Sequence, residues 1–474
     1  MSNASKAPKV SKVSMEAMVS YCNQYGFVYQ GSEIYGGLAN TWDYGPLGVR
    51  LKNNIKDAWR YFFIQNTHNS YELDTGILMN PKVWEASGHL AGFTDPLLDC
   101  KSCKTRHRAD NLISSFDESA VPDNMTQAEM DAFIKENKVA CPKCGKCDFT
   151  EIRQFNLMFS TKRGVTQDNQ STIYLRPENA QGEYLNFLNV QRTTRAKIPF
   201  GIGQIGKGFR NEITPGNFIF RTIEFEQMEY QLFCKKGDDE SLYEHYKKYA
   251  LEFYKYLGIC EENMKFQDHV KLAHYAKAAC DIEYAFPFGW GEINGTHNRT
   301  DYDLSRHQEL SGKNMAYYDE EAKERYIPYV VESTCGVGRA VLALLFEALE
   351  EEKLDGDETR FVLRLKPFLA PYKVNVLPLQ KNKHGAKAKE LYLMLRKHFT
   401  ATYDDAGSIG KRYRHGDAIG TPFAVTIDSN TLENGMVTVR DRDTMAQTSV
   451  AIDKLVHFLA EMTRADIDKS IACY

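Results

Sequence analysis

Apolar residues recur with two different periods along this chain, and these periods predict its helices and strands. A helix is predicted after the turn-forming segment 35–48, where apolar residues have roughly helical spacing: Val49, Leu51, Ile55, Ala58, Trp59, Phe62 and Phe63. A second helix is predicted after Gly336, where RAVLALLFEALEEE is apolar along one face, and others over 240–257 and 268–279. Between 151 and 233, apolar runs separated by charged turns predict strands.

One of these strands carries unusual side chains. Its residues alternate so that the two sides of the strand differ in character: Ile219, Arg221, Ile223, Phe225, Gln227 and Glu229. From residue 369 onwards, strands alternate with helices, which predicts a separate small α/β domain.

The length of 474 residues exceeds the size at which one hydrophobic core keeps growing, so several domains are expected. We predict a flexible lead-in over 1–12, a main α+β domain over 13–368 with a cysteine-rich insertion at 96–150, and the α/β domain over 369–474. The net charge of −4 argues against indiscriminate coating of nucleic acid, although a local basic face can still bind RNA. The N-terminus lacks an apolar run and no stretch is long enough to span a bilayer, so a soluble cytoplasmic protein is expected.

Two C-x-x-C pairs in the insertion predict a metal site. Cys100 and Cys103 form one pair, and Cys141 and Cys144 form the other, so four thiolates can surround a structural zinc ion. Cys147 offers a competing pairing with Cys144. We prefer Cys141 and Cys144 because Pro142 and Gly145 favour the tight turn of a knuckle. Buried thiols without metal remain the alternative.

A glycine-rich match lies beside a more specific segment. Gly201-Ile-Gly203-Gln-Ile-Gly206 fits the dinucleotide-binding fingerprint, but no helix start follows it, so we interpret the match as chance. The following FRNE places Arg210 and Glu212 on one face of a strand. Arg210 can bind phosphate and Phe225 can stack on a base, although the two charges taken alone favour an ordinary salt bridge between Arg210 and Glu212.

Several segments in a fixed order resemble the class II aminoacyl-tRNA synthetases, in the form found in glycyl-tRNA synthetases. FRNE and RTIEFEQME resemble motif 2, TWDYGPLG with its helix resembles motif 1, and CGVGRAVLALL resembles motif 3. Further matches are RQFNLMF, LRPENAQGE, GEINGTHNRTDYDL and DDAGSIGKRYRHGDAIGTPF, so the resemblance spans about 35–423. It implies an antiparallel catalytic sheet flanked by helices, a C-terminal anticodon-binding domain, a homodimer, and ligation of glycine to tRNA(Gly) with ATP and magnesium.

The resemblance also implies roles for individual residues. Catalytic roles fall on Arg210, Glu212 and Arg339. The implied ATP site comprises Arg210, Asn211, Glu212, Phe220, Arg221, Thr222, Ile223, Glu224, Phe225, Glu292, Ile293, Gly336, Val337, Gly338 and Arg339. The implied glycine site comprises Arg108, Glu178, Phe225, Glu226, Gln227, Met228, Glu229, Glu332, Ser333 and Thr334. The basic segment GKRYRHGD, interpreted as a loop, implies RNA contacts by Lys411, Arg412 and Arg414.

The chain departs from the family pattern at a few positions, and two other functions stay open. Asn179 stands where Thr is usual, Ser333-Thr334 where Pro-Ser is usual, and Ile223 where bacterial members often carry Arg. One alternative function is a non-catalytic, zinc-bearing RNA-binding protein built on a synthetase core. The other is a synthetase-like enzyme for another small amino acid such as alanine or serine.

Overall fold

The computed structural model describes residues 13–117, 119–122, 125–164, 171–212, 216–270, 272–273, 275–353 and 359–464; the expected lead-in 1–12 lies outside them. Its α-helices are α1 (Met15–Tyr25), α2 (Pro46–Trp59), α3 (Lys82–Ala86), α4 (His89–Gly92), α5 (Ala109–Phe116), α6 (Gln127–Glu136), α7 (Ala180–Thr194), α8 (Asp239–Leu257), α9 (Tyr302–Ser311), α10 (Val337–Ala348), α11 (Lys381–Leu395), α12 (Ile409–Ala418), α13 (Ser429–Asn434) and α14 (Ile452–Thr463). A π-helical segment, Arg60–Gln65, continues α2. Short 3₁₀ turns occupy Glu33–Tyr35, Phe218–Phe220 and Glu261–Asn263.

The strands belong to one large sheet, one mid-sized sheet and several small ones. They are β1 (Val28–Gln30), β2 (Trp42–Tyr44), β3 (Ser70–Glu72), β4 (Thr94–Asp99), β5 (Arg106–Arg108), β6 (Arg153–Asn156), β7 (Ser160–Lys162), β8 (Thr172–Tyr174), β9 (Phe200–Phe209), β10 (Glu224–Cys234), β11 (Met264–Asp268), β12 (Ala278–Phe286), β13 (Gly289–Thr300), β14 (Tyr317–Asp319), β15 (Glu324–Tyr326), β16 (Tyr329–Gly336), β17 (Leu349–Lys353), β18 (Thr359–Leu363), β19 (Val374–Pro378), β20 (Ala401–Tyr403), β21 (Phe423–Ile427), β22 (Met436–Asp441) and β23 (Gln447–Ala451).

The large sheet has seven strands in the order β11-β12-β13-β16-β10-β9-β3. Neighbouring strands are antiparallel except β3, which runs parallel to β9. Helices α2, α8 and α10 share one hydrophobic core with one face of the sheet, and α7 and α9 pack on the other. The expected antiparallel α+β core flanked by helices is confirmed.

Strand β10 shows how alternation sorts side chains between the two faces. Met228, Tyr230 and Leu232 are buried in the core with α2, α8 and α10. Phe225 and Glu229 point to the opposite face, where a cavity opens. The expected strand begins later than predicted, because Asn217 and Phe218 adopt positive φ of 59° and form a 3₁₀ turn before Glu224.

The cysteine-rich insertion forms a small unit with its own core. Its three-stranded sheet has the order β5-β4-β6, and α5 and α6 pack together beside it. The segment TQAEMDAFIKEN contains α6, and a capping box between Thr126 and Glu129 fixes its start. The fold of the insertion therefore positions the cysteine turns on a stable base.

The C-terminal residues form a five-stranded sheet in the order β20-β19-β21-β22-β23, with a separate core. This agrees with the expected small α/β domain. Two local predictions are wrong. Residues 268–279 contain no helix in their described part, because β11 and β12 pair there as a hairpin and the His269 amide donates to the Ala279 carbonyl. GKRYRHGD lies in helix α12 rather than a loop, with Ser408 as the N-cap.

Buried charges connect the two domains. The Arg360 guanidinium of β18 donates to Asp417 of α12 at 2.5 Å, and Arg440 of β22 donates to the same carboxylate at 2.8 Å. All three residues are at most 7% exposed. Arg442 adds bonds to the carbonyls of Leu365 and Gly420. We call Arg360, Asp417 and Arg440 the interdomain ion cluster.

No helix in the described ranges is both long and apolar enough to cross a bilayer.

Candidate active site

A cavity of about 620 Å³ opens on the face of the large sheet that carries Phe225 and Glu229, and the first residues of α10 line part of it. It lies over β9, β10, β13 and β16, between motif-bearing segments that are distant in sequence. Most of the implied site residues line it: Glu178, Arg210, Glu212, Phe220, Arg221, Thr222, Glu224, Phe225, Glu226, Gln227, Glu229, Glu292, Glu332, Thr334, Gly336, Val337, Gly338 and Arg339. The structure therefore brings together residues that the sequence separates by more than 150 positions.

The carboxylates at one end of the cavity come from neighbouring strands and a helix start. Glu229 of β10 lies opposite Thr334 of β16, and the Thr334 hydroxyl donates to it at 3.2 Å. Glu332 of β16 lies opposite His297 of β13, whose Nδ1 is 2.8 Å from the carboxylate. Glu178 precedes α7. We call Glu178, Glu229 and Glu332 the acidic trio.

The three carboxyl groups of the acidic trio differ in the direction in which their pKa values are shifted. Burial opposes ionisation of Glu332, but Arg299 and His297 lower its pKa to about 2. Burial also opposes ionisation of Glu178, and His89 at 3.4 Å helps to hold its pKa far below the usual range. For Glu229, burial and the nearby charges of Glu332 and Glu178 raise the pKa to about 8. Its Oε2 has no hydrogen-bond partner among the described residues.

The sequence did not identify the cations that balance this end. Arg299 forms a bidentate pair with Asp303 and also donates to Glu332 at 3.1 Å. His297 also pairs with Glu332. Arg299 lies near the end of β13 and Asp303 in the first turn of α9, so no spacing within a single element marks this pair in the sequence. His307 bonds to Gln181 inside the protein.

Arginines and aromatic rings form the other end of the cavity. The Arg210 guanidinium lies 5.3 Å from the rings of both Phe225 and Phe93. The Arg339 guanidinium lies 4.5 Å from the Phe220 ring and 2.9 Å from Glu292. Such stacking holds a guanidinium without consuming its capacity to donate hydrogen bonds. Two oriented cations can bind phosphates and the neighbouring rings can stack on a base, so this end suits a nucleoside triphosphate.

The alternative interpretation of Arg210 and Glu212 as a pair is not what the structure contains. Glu212 lies 3.6 Å from Arg221 instead. Gly338 approaches the backbone closely, since a Cβ there would lie 2.9 Å from the Ile219 carbonyl oxygen. The GxGxxG match lies entirely within strand β9, which agrees with our interpretation of it as chance.

Some implied site residues do not line the cavity. The side chains of Met228, Ile293 and Ser333 are at most 2% exposed, and the first two belong to the core on the opposite face. Strand alternation explains all three, since each neighbours a cavity residue in sequence. Their side chains cannot contact a molecule in the cavity. Asn211 and Ile223 flank it, with their amides bonded to the Leu157 and Asn40 carbonyls.

Two implied glycine contacts have other partners. Glu226 lies at the cavity margin, on the opposite side of β10 from Glu229, and pairs with Lys52 at 2.5 Å and Lys56 at 3.2 Å. Arg108 is held outside the cavity wall by Asp95 and Asp110. Both residues are thus ion-paired within the protein, and their contact with the amino acid stays a prediction.

The four expected cysteines meet in the insertion. The sulfur atoms of Cys100, Cys103, Cys141 and Cys144 all lie within 4.8 Å of one another. Two of the separations are 3.6 and 3.7 Å, close to the roughly 3.8 Å expected between thiolates around tetrahedral zinc. Cys147 is outside the cluster, and its thiol contacts the Lys138 carbonyl. The cluster is therefore compatible with structural zinc.

The basic residues of α12 divide into two groups. Lys411 and Arg414 are exposed. Arg412 is 4% exposed, and its guanidinium donates to the carbonyls of Pro378 and Asp404. The expectation that Arg412 contacts RNA is therefore corrected, because its charge stabilises the domain from inside.

Comparison with known families agrees with this architecture. Residues 127–348 match the tRNA synthetase class II core domain (G, H, P, S and T), and residues 373–462 match the anticodon binding domain. The antiparallel sheet, its cavity and the appended domain thus define a class II aminoacyl-tRNA synthetase architecture.

Similarity to individual proteins identifies the family within this class. The chain is 55% identical to a glycine–tRNA ligase of Clostridium kluyveri over 94% of its own length and 98% of that protein. It is 55% identical to the ligase of Geobacillus kaustophilus, covering 95% and 99% of the two chains. For Lachnospira eligens the identity is 54%, with coverage of 95% and 99%. The chain belongs to the glycine–tRNA ligase family.

Proposed function

We propose that this chain activates glycine with ATP and transfers it to the 3′-terminal ribose of tRNA(Gly). This proposal rests on one observation: two arginines lie at one end of the cavity, and a buried carboxylate oxygen of Glu229 that has no partner among the described residues lies at the other end. An amino acid brings an ammonium for the carboxylate and a carboxylate for the arginines. The same cavity has room for a nucleotide beside it.

ATP would occupy the arginine end. Arg210 would contact the α-phosphate and the glycine carboxylate, Arg339 the far end of the triphosphate, and Phe225 would stack on adenine. The rest of the proposed wall consists of Glu212, Phe220, Arg221, Thr222, Glu224, Glu292, Gly336, Val337 and Gly338. Magnesium, when bound near Glu292, would neutralise phosphate charge.

Catalysis needs no general base, since the glycine carboxylate that attacks the α-phosphorus is already charged. The barrier is lowered by positioning the two reactants and by stabilising the charge that develops on the phosphate. Arg210, fixed by two rings, is suited to both tasks because it loses little freedom on binding.

Glycine would be selected at the acidic trio. Three carboxylates grip an ammonium strongly, while excluding a methyl group requires rigid walls, because a pocket that merely lacks a methyl contact discriminates by only about 1–3 kcal/mol. The buried pairs of Glu332 with Arg299 and His297 supply that rigidity. Thr334 fixes Glu229 from the neighbouring strand, which supports a substrate contact despite the unusual Ser333-Thr334 sequence.

The remaining parts of the proposal concern partners. Lys411 and Arg414 of α12 would hold anticodon phosphates. A homodimer is supported by exposed apolar side chains next to the motif 1 segment, with Ile34, Tyr35 and Leu38 exposed by 88, 87 and 57%. The cysteine cluster would hold structural zinc. The described cysteines are free thiols, which suits a reducing cytoplasm.

The decisive experiment is amino-acid-dependent exchange of pyrophosphate into ATP, followed by charging of tRNA(Gly). Glycine should drive exchange in the purified protein. Exchange driven by alanine or serine would instead support a different small amino acid. Absence of exchange with every amino acid, in a folded preparation, would support a non-catalytic RNA-binding protein.

A further inference from the structure

Five residues form a polar layer beneath the acidic end of the cavity: Asn179, Glu183, Gln204, Gln227 and Glu229. Six side-chain atoms of this layer have no hydrogen-bond partner, namely Asn179 Oδ1, both carboxyl oxygens of Glu183, Gln204 Nε2, Gln227 Oε1 and Glu229 Oε2. Twelve such atoms occur in the described part of the chain, so half of them lie in this one layer. Buried polar groups are normally paired, and a concentration of exceptions points to a functional site.

Strand register places two members of the layer side by side. Gln204 of β9 is directly opposite Glu229 of β10, and Glu229 is in turn opposite Thr334. Directly opposed side chains have Cβ atoms about 4.5–5.5 Å apart. The same row therefore presents Gln204, Glu229 and Thr334 to one face of the sheet.

Helix α7 crosses this row, and two contacts bracket the position of Glu183. Asn179 at the helix start donates to the Gln227 carbonyl at 3.2 Å. Tyr184 donates to Gln231 at 2.8 Å. Glu183 follows Asn179 by one helical turn and precedes Tyr184, so its side chain lies over the intervening row that contains Glu229. Glu183 is 0% exposed and lies behind the cavity wall.

The cations near this row are already engaged by other groups. Arg299 pairs with Asp303 and Glu332, and Gln181 bonds to both Asp303 and His307 of α9. His297 pairs with Glu332, and His89 with Glu178. Arg176 donates to the carbonyls of Lys207 and Thr75. No cation in the described residues pairs with Glu183 or Glu229, so two negative charges in this dry layer would repel strongly.

The electrostatic surroundings make Glu183 the weaker acid of the two. Burial, followed by the charges of Glu229 and Glu332, raises the pKa of Glu183 well above its usual range, and Arg176 opposes this only in part. Glu229 has its pKa raised to about 8, and it alone receives a hydrogen bond, from Thr334. Glu229 also faces the cavity, where a cation can reach it.

We propose that Glu183 is a positioning residue for the substrate ammonium: it remains a protonated acid, its hydroxyl is the donor that the unpaired acceptor oxygens of this layer require, and it leaves Glu229 as the carboxylate that receives the ammonium. This rests on the proposed activation of glycine. A neutral donor behind the anion stabilises it without adding a competing charge. Glu183 does not touch the substrate, and its effect is exerted through Glu229.

Two substitutions test whether Glu183 acts as a neutral hydrogen-bond donor or as a negative charge. Glu183→Gln keeps a neutral donor of the same shape, whereas Glu183→Leu removes the donor. The KM for glycine, the KM for ATP and kcat are measured by pyrophosphate exchange between pH 6 and 9. We expect Gln to leave the KM for glycine within about twofold of the parent. We expect the Leu variant to have a KM for glycine that is roughly tenfold higher at pH 7, the effect of one lost hydrogen bond to a charged group. The decrease of this KM with rising pH should occur at a higher pH than in the parent.

Several outcomes would overturn the inference. A Gln variant that folds normally but loses glycine affinity as the Leu variant does would show that an ionised carboxylate is needed. A folded Leu variant with an unchanged KM and pH profile would show that the donor has no role. If Leu fails to fold, Glu183→Met replaces it as the variant without a donor, and the same two outcomes apply. Failure of the parent protein to exchange with glycine would refute the proposed function instead.

Discussion

At one end of the cavity three carboxylates are buried next to Arg299 and His297, while at the other Arg210 and Arg339 lie against aromatic rings. The acidic end contains most of its own counter-charge, so its geometry is fixed before any ligand arrives. Among the described residues no carboxylate pairs with Arg210. The difference indicates that selectivity is built into the rigid acidic end, and that the charge of Arg210 is held available at the arginine end, while Arg339 pairs with Glu292.

The largest expected effect comes from removing the available charge. Arg210→Ala should lower kcat for pyrophosphate exchange about 100- to 1000-fold, the usual loss when one oriented donor to a developing charge is removed. The KM for glycine should change much less than kcat. Arg192→Ala, at an exposed position of α7, is the matched control and should behave as the parent. Equal losses in both variants would contradict the assignment of Arg210.

A smaller effect is expected at the acidic end. Glu229→Gln should raise the KM for glycine roughly 10- to 100-fold, since it replaces a charged acceptor of about 1.5–3 kcal/mol by a neutral one. The KM for ATP should stay close to the parental value. Glu226→Gln on the opposite face of the same strand is the control. If it weakened glycine binding as much as the Glu229 change, the two carboxylates would share the contact with the ammonium.

The pH dependence provides a third test. With its pKa raised to about 8, Glu229 loses its proton only as pH rises through that value. The ionised form binds the ammonium, so the KM for glycine should fall as pH rises from 6 to 8, by up to about tenfold per unit. The KM for ATP should not follow this curve. Persistence of the glycine curve in Glu229→Gln would exclude Glu229 as its source.

The smallest effect on catalysis is expected from the insertion, because none of its clustered cysteines lines the cavity. Cys100→Ser should abolish stoichiometric zinc binding in a metal assay and lower the thermal stability of the insertion. Exchange kinetics should change less than about threefold. Cys147→Ser should keep both metal and stability, since its thiol lies outside the cluster. Equal metal loss in the two variants would argue against the proposed ligand set.

The sequence predicted the parts of the fold that have strong local patterns. The long helices α2, α8 and α10 follow from periodicity, and so does the alternation of strands and helices after residue 369, although β23 was not predicted. The hairpin of β11 and β12 was missed because strand pairing there overrides a local helical pattern, which single-sequence spacing cannot show. The dense charge of GKRYRHGD favours a loop in the sequence. The segment is helical in the structure, where Ser408 caps the start of α12.

Prediction of the site was limited by a different effect. Motif order identified most residues that line the cavity, but not the face on which each side chain lies. Met228, Ile293 and Ser333 each adjoin a cavity residue, and alternation turns them away from the cavity. The partners of Glu332 were missed for a related reason, since Arg299 and His297 reach it only through the register of β13 with β16.

The interdomain ion cluster has a consequence for protein engineering and for evolution by recombination. Exchanging the C-terminal domain for one lacking an acid at position 417 would leave Arg360 and Arg440 buried without their shared partner. Breaking a buried ion pair in this way costs about 3–5 kcal/mol, a large share of the stability of a typical domain. A stable chimera therefore needs an acid at position 417 whenever it keeps Arg360 of the catalytic core.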